Sequence, residues 1–164
     1  MLPRFTYSYD DAGNLTVTVD SNGARATHTY DGKSRLTRGQ TTGTGAHDYT
    51  YSYDANDDRL TSSETGGVVT FNYNAFGQLT TSTDGSLVTT YTYDDDGNQT
   101  VTALQGSDPV TMAYDKENRM NRHQQGATVV TYTYASDGLK RSEVTSGGTT
   151  TLVWDGSDYL QGRS

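Results

Sequence analysis

The chain has 164 residues, a length typical of one ordinary domain. Only 31% of the residues are hydrophobic, which favours a single sheet with one apolar face over a thick core between two sheets. The net charge of −8 opposes binding to nucleic acids and anionic lipids, no stretch approaches the ~20 apolar residues of a membrane span, and the lack of Cys excludes a disulfide scaffold.

An aromatic residue recurs about every 20 residues along the whole chain, which indicates a repeat architecture. We call these positions the anchors: Tyr9, Tyr30, Tyr53, Tyr73, Tyr93, Tyr114, Tyr134 and Trp154. The spacing predicts one array of about eight repeats over residues 1–164.

Every repeat contains the same elements, in the same order. The first repeat shows them as an aromatic strand, Tyr7 to Tyr9, a turn, Asp10 to Asn14, a second strand, Leu15 to Val19, and a closing turn, Asp20 to Gly23. Asp at the turn entry accepts hydrogen bonds from backbone amides two residues on, and Gly four residues after the anchor supplies a positive φ. Tyr and Thr, which are abundant here, favour half-buried strands.

The alternation within the strands predicts which side chains share a face. In the first hairpin one face is expected to carry Tyr7, Tyr9, Leu15, Val17 and Val19, with Thr and Ser on the other. We therefore predict an all-β meander of about 14–16 short strands with essentially no helix. Longer loops are expected only at Thr42–His47 and Gln105–Pro109.

The stretch from Tyr7 to Leu15 resembles the Rhs/YD-repeat family, whose pattern is roughly Tyr-x-Tyr-Asp-x-x-Gly-Arg-Leu. The stretch from Tyr51 to Leu60 fits with a one-residue insertion near Asp57 and Asp58. The later stretches that fit with drift are Phe71 to Leu79, Tyr91 to Asn98, Tyr114 to Met120, Tyr132 to Glu143 and Leu152 to Leu160.

The resemblance implies an antiparallel sheet that winds in a spiral and, in long members, closes into a hollow shell like those of teneurins and toxin complexes. It implies a bacterial protein, extracellular or at the cell surface, that encapsulates or displays a polypeptide. Eight repeats are too few to close a shell, so we expect a curled, open partial shell. Self-association is then expected through the open sheet edges or the aromatic face. The N-terminus, Met1 to Arg4, lacks the apolar segment of a signal peptide.

The aromatic rings admit two interpretations. They form the apolar face of the sheet, with hydroxyls left in water, or they form a platform on which carbohydrates stack. The candidate ligand-binding residues are Tyr51, Tyr53, Tyr73, Tyr91, Tyr93, Tyr132, Tyr134 and Trp154. The first interpretation needs no ligand and is preferred.

One acidic turn resembles half of a calcium loop, because Asp94, Asp96 and Asn98 supply oxygen atoms at alternate positions. It lacks the Gly and the distant Glu of an EF-hand, so an ordinary Asp-rich turn is the preferred interpretation and no cofactor is expected. The three His residues have no metal-ligand spacing.

No catalytic motif is present, so we expect a module that is not an enzyme. Paired carboxylates on the array would make a glycosidase the least implausible enzyme. Regular Thr-x-Thr patterns are also compatible with ordering water on a flat sheet, but sheets twist. The sequence therefore favours a structural shell module, with a carbohydrate- or protein-binding surface module as the alternative and a hydrolase as the least favoured.

Overall fold

The computed structural model describes residues 4–43, 45–64 and 67–163. They form sixteen strands and no helix. The strands are β1 (Phe5–Tyr9), β2 (Leu15–Asp20), β3 (Arg25–Tyr30), β4 (Leu36–Thr41), β5 (Asp48–Tyr53), β6 (Arg59–Glu64), β7 (Gly67–Tyr73), β8 (Leu79–Asp84), β9 (Leu87–Tyr93), β10 (Gln99–Leu104), β11 (Val110–Tyr114), β12 (Met120–Gln125), β13 (Thr128–Tyr134), β14 (Lys140–Thr145), β15 (Gly148–Asp155) and β16 (Asp158–Arg163).

The chain divides into two compact units, Met1–Leu87 and Val88–Ser164. In the first unit β1 to β8 pair in sequence order, each strand antiparallel to the next. In the second unit β9 to β16 follow the same rule. The predicted all-β meander of hairpin repeats is confirmed. The expectation about the signal segment concerns Met1 to Pro3, and the loop at Thr42–His47 includes Thr44; these positions lie outside the described residues.

Each anchored hairpin contains a β-bulge next to its anchor. In the first hairpin Ser8 pairs with Val17 whereas Tyr9 pairs with Leu15, so Thr16 is an extra residue. A bulge resets the alternation of side chains along the strand. Val17 therefore shares the face of Ser8, and the prediction that it shares the face of Tyr9 is wrong.

Val19 lies opposite Thr6 for the same reason, and in the second unit Val101 lies opposite Thr92. We call the side that carries the anchors the aromatic face of each unit, and the opposite side the Thr face. The Thr face thus contains Val as well as Thr and Ser. The apolar residues are divided between two faces, which weakens both as a core.

The predicted insertion near Asp57 is also wrong. Tyr53 pairs with Arg59 in the same way that Tyr30 pairs with Leu36, so the two turns have equal length. Arg59 occupies the position of Leu in the family pattern, and Leu60 is the extra residue of the bulge.

No hydrophobic side chain of the described residues is buried. Gly39 is the single buried residue among them, and most strand side chains are half-buried. A single-layer sheet leaves each side chain with neighbours only along its own face, so rings and methyl groups stay partly in water. Stability must then come from bonds between strands and between repeats, and not from a core.

Candidate functional site

The anchors connect each repeat to the one before it. The Tyr30 hydroxyl donates to the main-chain oxygen of Leu15 at 2.9 Å, and the Tyr134 hydroxyl donates to that of Met120 at 2.7 Å. The same bond joins Tyr53 to Leu36, Tyr73 to Arg59, Tyr114 to Gln99 and, through the indole N–H, Trp154 to Lys140. The acceptor is in each case the first residue of the second strand of the preceding repeat. The expectation that the hydroxyls stay in water therefore does not hold for these anchors.

The Asp after the anchor holds the turn in place. The Oδ1 atom of Asp10 accepts hydrogen bonds from the amides of Ala12 and Asn14, and the Gly13 amide donates to the Asp10 main-chain oxygen. Asn74 caps the turn after Tyr73 in the same way, with its amide oxygen. Accepting these bonds lowers the pKa of Asp10, because hydrogen bonds from Asn14 and neighbouring amides stabilise the charged carboxylate. The predicted role of the turn Asp is confirmed.

One Arg in the first unit joins two adjacent repeats, and we call this group the Arg35 clamp. The guanidinium binds the Asp31 carboxylate with N–O distances of 2.7 Å, and Nη1 donates to the main-chain oxygen of Asp54 at 2.8 Å. It also lies over the Tyr53 ring, 4.7 Å from its centre, as a cation–π contact. The side-chain hydrogen bond from Arg35 is the main cause of the lowered pKa of Asp31.

The second unit has a matching Arg119 clamp. Arg119 binds Asp115 at 2.7 Å, donates to the Ala135 main-chain oxygen at 3.3 Å and lies 4.8 Å from the centre of the Tyr134 ring. Arg35 and Arg119 both stand five residues after an anchor, where the family pattern has Arg. Asp, Arg and the next Tyr of the pattern therefore act together as a structural joint between repeats.

Comparison with known proteins identifies the same repeat. The sequence model of the RHS Repeat family matches residues 9–47, 53–86 and 73–108, which is more than half of the chain. The chain belongs to the RHS Repeat family. A search of curated proteins finds no match.

Several solved structures have the same fold. A crystal structure of TcdB2-TccC3-TEV matches with a TM-score of 0.79 at 16% identity, over 94% of this chain and 10% of that chain. A crystal structure of TcdB2-TccC3-Cdc42 matches with a TM-score of 0.76 at 16% identity, over 90% of this chain and 10% of that one.

The Tc holotoxin pore of Photorhabdus luminescens, in a form with a mutated TccC3, has a TM-score of 0.76 at 15% identity. That match covers 90% of this chain and 9% of the other chain. The RHS-repeat chain therefore spans about a tenth of the length of the solved chains it matches, and the likeness concerns the fold.

The predicted ligand-binding aromatic residues are all half-buried on the aromatic faces of the two units. Four of them, Tyr53, Tyr73, Tyr134 and Trp154, donate to main-chain oxygens as described above. Tyr51 contacts the Arg59 guanidinium at 5.6 Å, and Tyr132 contacts the Lys140 ammonium at 4.8 Å. Tyr91 and Tyr93 also interact with other residues of the chain. Most of this set thus has a structural role, and ligand binding by these residues stays a prediction.

The predicted calcium turn is closed by its own hydrogen bonds. Oδ1 of Asp94 accepts from the amides of Asp96 and Asn98, and Oδ2 accepts from the Asn98 side chain at 3.1 Å. Asn98 also donates to Asn118 in the next repeat, at 2.9 Å. These bonds, the Asn98 side chain foremost, lower the pKa of Asp94. Calcium would have to displace them, and its binding here stays a prediction.

The described residues contain no group of three His, Asp or Glu side chains placed to hold a metal ion. Among the same residues no helix has the length and apolar character needed to cross a membrane. Sequence reasoning did not assign a role to Arg35 or Arg119. Their fixed position five residues after an anchor, beside the Asp of the same turn, was the signal that could have identified them.

Proposed function

We propose that this chain is a segment of the wall of an exported β-shell that encapsulates or displays a polypeptide. The observation that carries the proposal is the combination of uniform bonds between repeats with the lack of a hydrophobic core among the described residues. Such an array is stabilised by neighbours on both sides and is suited to continue into further repeats. The fold likeness to about a tenth of much longer Tc toxin chains supports this view.

The edges of the array suit such continuation. In the described part of the chain β1 pairs only with β2, and β16 only with β15. Tyr7 and Tyr9 on β1 are 52% and 62% exposed, and Tyr159 on β16 is 55% exposed. Unpaired strand edges bind further strands, from the same polypeptide or a second copy. We therefore propose association through these edges, outside the cell or at its surface.

Site-specific photo-crosslinking tests the shell proposal. A benzoylphenylalanine is placed at Tyr132 on the aromatic face or at Thr149 on the Thr face, with the turn residue Phe76, 88% exposed, as the control. The protein is irradiated in the cells that produce it, and the cross-linked peptides are identified by mass spectrometry. A shell wall gives cross-links to a polypeptide segment from one face and not from the turn. Cross-links to no polypeptide from either face would refute the proposal.

A second candidate function is a surface module that binds carbohydrate. The observation that favours it is the accessible, half-buried row of rings on the aromatic face, since an aromatic ring with one free side can stack against the C–H groups of a sugar. Charged side chains next to several rings could bind the sugar hydroxyls.

A further inference from the structure

The ring of Tyr49 lies flat on the aromatic face of the first unit, over Gly39. The two residues are cross-strand partners on β4 and β5. A Cβ atom on Gly39 would lie 2.1 Å from Cζ of Tyr49 and 2.3 Å from its hydroxyl oxygen, so the ring occupies the space that any other side chain would fill. Gly39 is also the single buried residue of the described chain. Because Gly39 has no side chain, the Tyr49 ring can lie in the space above it.

A His–Glu pair stands beside this ring. Glu64 is the cross-strand partner of Tyr49 on β6, and its Oε1 atom lies 3.1 Å from Nδ1 of His47. The Glu64 and His47 side chains are 65% and 54% exposed. The pair is therefore open to a ligand that lies on the ring, and it offers both an acceptor and a donor of hydrogen bonds.

Further rings and a guanidinium continue the surface along the same face. The rings of Tyr49 and Tyr51 have centres 5.6 Å apart and planes tilted by 47°. Arg59 lies over both Tyr51, at 5.6 Å, and Phe71, at 4.6 Å. The guanidinium is thus held by two aromatic contacts, with N–H groups available at the border of the rings. Rings flanked by fixed polar groups are typical of a ligand site.

We propose that Tyr49, Tyr51, His47, Glu64 and Arg59 form a binding site for a neutral pyranose sugar. This site specifies the second candidate function and rests on it. The sugar stacks its C–H face on the Tyr49 ring, because the negative face of the ring attracts the slightly positive C–H groups. Its hydroxyls donate to the Glu64 carboxylate and accept from the Arg59 guanidinium, and such charge-assisted bonds are stronger than bonds between neutral groups.

The charge of the chain selects a neutral sugar over an acidic one. The net charge is −8, and the proposed site contains the Glu64 carboxylate, whose side chain is 65% exposed. A uronate or sialate would bring a carboxylate next to this carboxylate, which like-charge repulsion disfavours. A flat ring suits a pyranose with equatorial hydroxyls, so a β-1,4-linked glucan is the probe that fits the site best.

Titration of the whole chain with cellotetraose tests the proposal, using tetragalacturonate as the acidic comparison. Gly39→Ala keeps every polar group and fills only the space that the Tyr49 ring occupies. Tyr49→Leu removes the ring, and Glu64→Gln removes the charge of the carboxylate. The matched control is Thr18→Ala, since Thr18 lies opposite Tyr7 as Gly39 lies opposite His28, at the same position of the preceding repeat. Circular dichroism confirms the fold of each variant, and the exposed Glu64 variant remains informative if Gly39→Ala does not fold.

The expected result is binding of cellotetraose but not of tetragalacturonate, with affinity lowered about tenfold by Gly39→Ala, Tyr49→Leu and Glu64→Gln and unchanged in Thr18→Ala. Binding that all three site variants retain would overturn the site while leaving carbohydrate binding elsewhere on the aromatic faces. Absence of cellotetraose binding by the unmodified chain would overturn the site, and it would leave the shell proposal untouched.

Discussion

The Arg35 clamp and the Arg119 clamp share the same main contacts but differ in one further ion pair. In the first unit Nη1 of Arg35 also reaches Asp57 of the next repeat at 2.6 Å, and Lys33 binds the same carboxylate at 2.9 Å. In the second unit the equivalent position, four residues after the next anchor, is Gly138. Arg119 binds Glu117 of its own turn instead, at 3.1 Å.

The difference has a cost in backbone conformation. Asp57 has a φ of 74°, in the left-handed region that favours Gly, whereas Gly138 has a φ of 83° without steric penalty. Ser34 and Asn118 are the other non-Gly residues at this position with positive φ, and each accepts a side-chain hydrogen bond from the preceding repeat. The repeat thus tolerates a non-Gly residue here where its side chain forms a bond between repeats that Gly cannot form.

The largest difference in stability between the two units is expected at low pH. The pKa is lowered for Asp10, Asp31, Asp48 and Asp57 in the first unit, and for Asp94 and Asp115 in the second. A carboxyl whose pKa is lower in the folded chain contributes stability that is complete above its unfolded pKa of about 3.9 and is lost as the pH falls through its folded value. The first unit should therefore lose more stability below about pH 4.

Hydrogen exchange with mass spectrometry at stepwise lower pH measures this loss by peptide, after correction for the intrinsic exchange rate. We expect peptides of the first unit to lose protection at a higher pH than those of the second. Loss of protection at the same pH in both units would show that these carboxylates do not make the first unit more sensitive to acid.

The next largest effect is expected from Asp115→Ala. This change removes the acceptor for the amides of Glu117 and Arg119 and leaves the Arg119 clamp without its carboxylate. Asp115→Asn is the matched control, because Asn74 already caps an equivalent turn. We expect the Ala variant to lower the melting temperature by several degrees and the Asn variant by much less. Trp154, the single Trp, reports the melting of the second unit by fluorescence. Equal effects of the two changes would mean that the cap contributes little.

The hydroxyl of an internal anchor can be tested by Tyr134→Phe. The change leaves the Met120 main-chain oxygen without its 2.7 Å hydrogen bond, which should cost about 1 kcal/mol of unfolding free energy. Tyr9→Phe is the control, because Tyr9 is 62% exposed and precedes every other anchor. Urea unfolding of both variants measures the effect. A loss of similar size in Tyr9→Phe would show that the hydroxyl acts through something other than the bond to the preceding repeat.

Much of this fold could be predicted from the sequence, because the anchors, turn Asp residues and positive-φ positions recur at a fixed step. Asp10 and Gly13 have the predicted roles. The faces could not be predicted, since Thr16 looks like an ordinary member of an alternating strand, and only the pairing of Tyr9 with Leu15 shows it to be extra. Composition also could not show that the anchor hydroxyls bind carbonyl groups of the preceding repeat, because that contact depends on the register of strands across a repeat boundary.

Only part of the candidate carbohydrate site could be predicted from the sequence. Tyr51 belongs to the aromatic pattern and was predicted, whereas Tyr49 stands four residues before its anchor, where most other repeats have a small or β-branched residue. Gly39 gave no turn signal, and its role depends on the ring that lies opposite it on the next strand. A cross-strand pair of this kind becomes visible only when the register is known.

The smallest effect is expected from Asp57→Gly, which converts the first clamp into the form of the second. The change relieves the backbone at a φ of 74° and removes the contacts with Lys33 and Arg35. Both contributions are small, because the Asp57 side chain is 59% exposed and water screens its ion pairs. We expect a melting temperature close to that of the unmodified chain but less sensitive to salt, since the lost pairs are the part that salt weakens. Asp57→Ala, which loses the contacts and keeps the strained φ, should melt lower than Asp57→Gly. If the Gly variant melted well below the unmodified chain, the bond between repeats would outweigh the strain, and the clamp of the first unit would be the stronger joint.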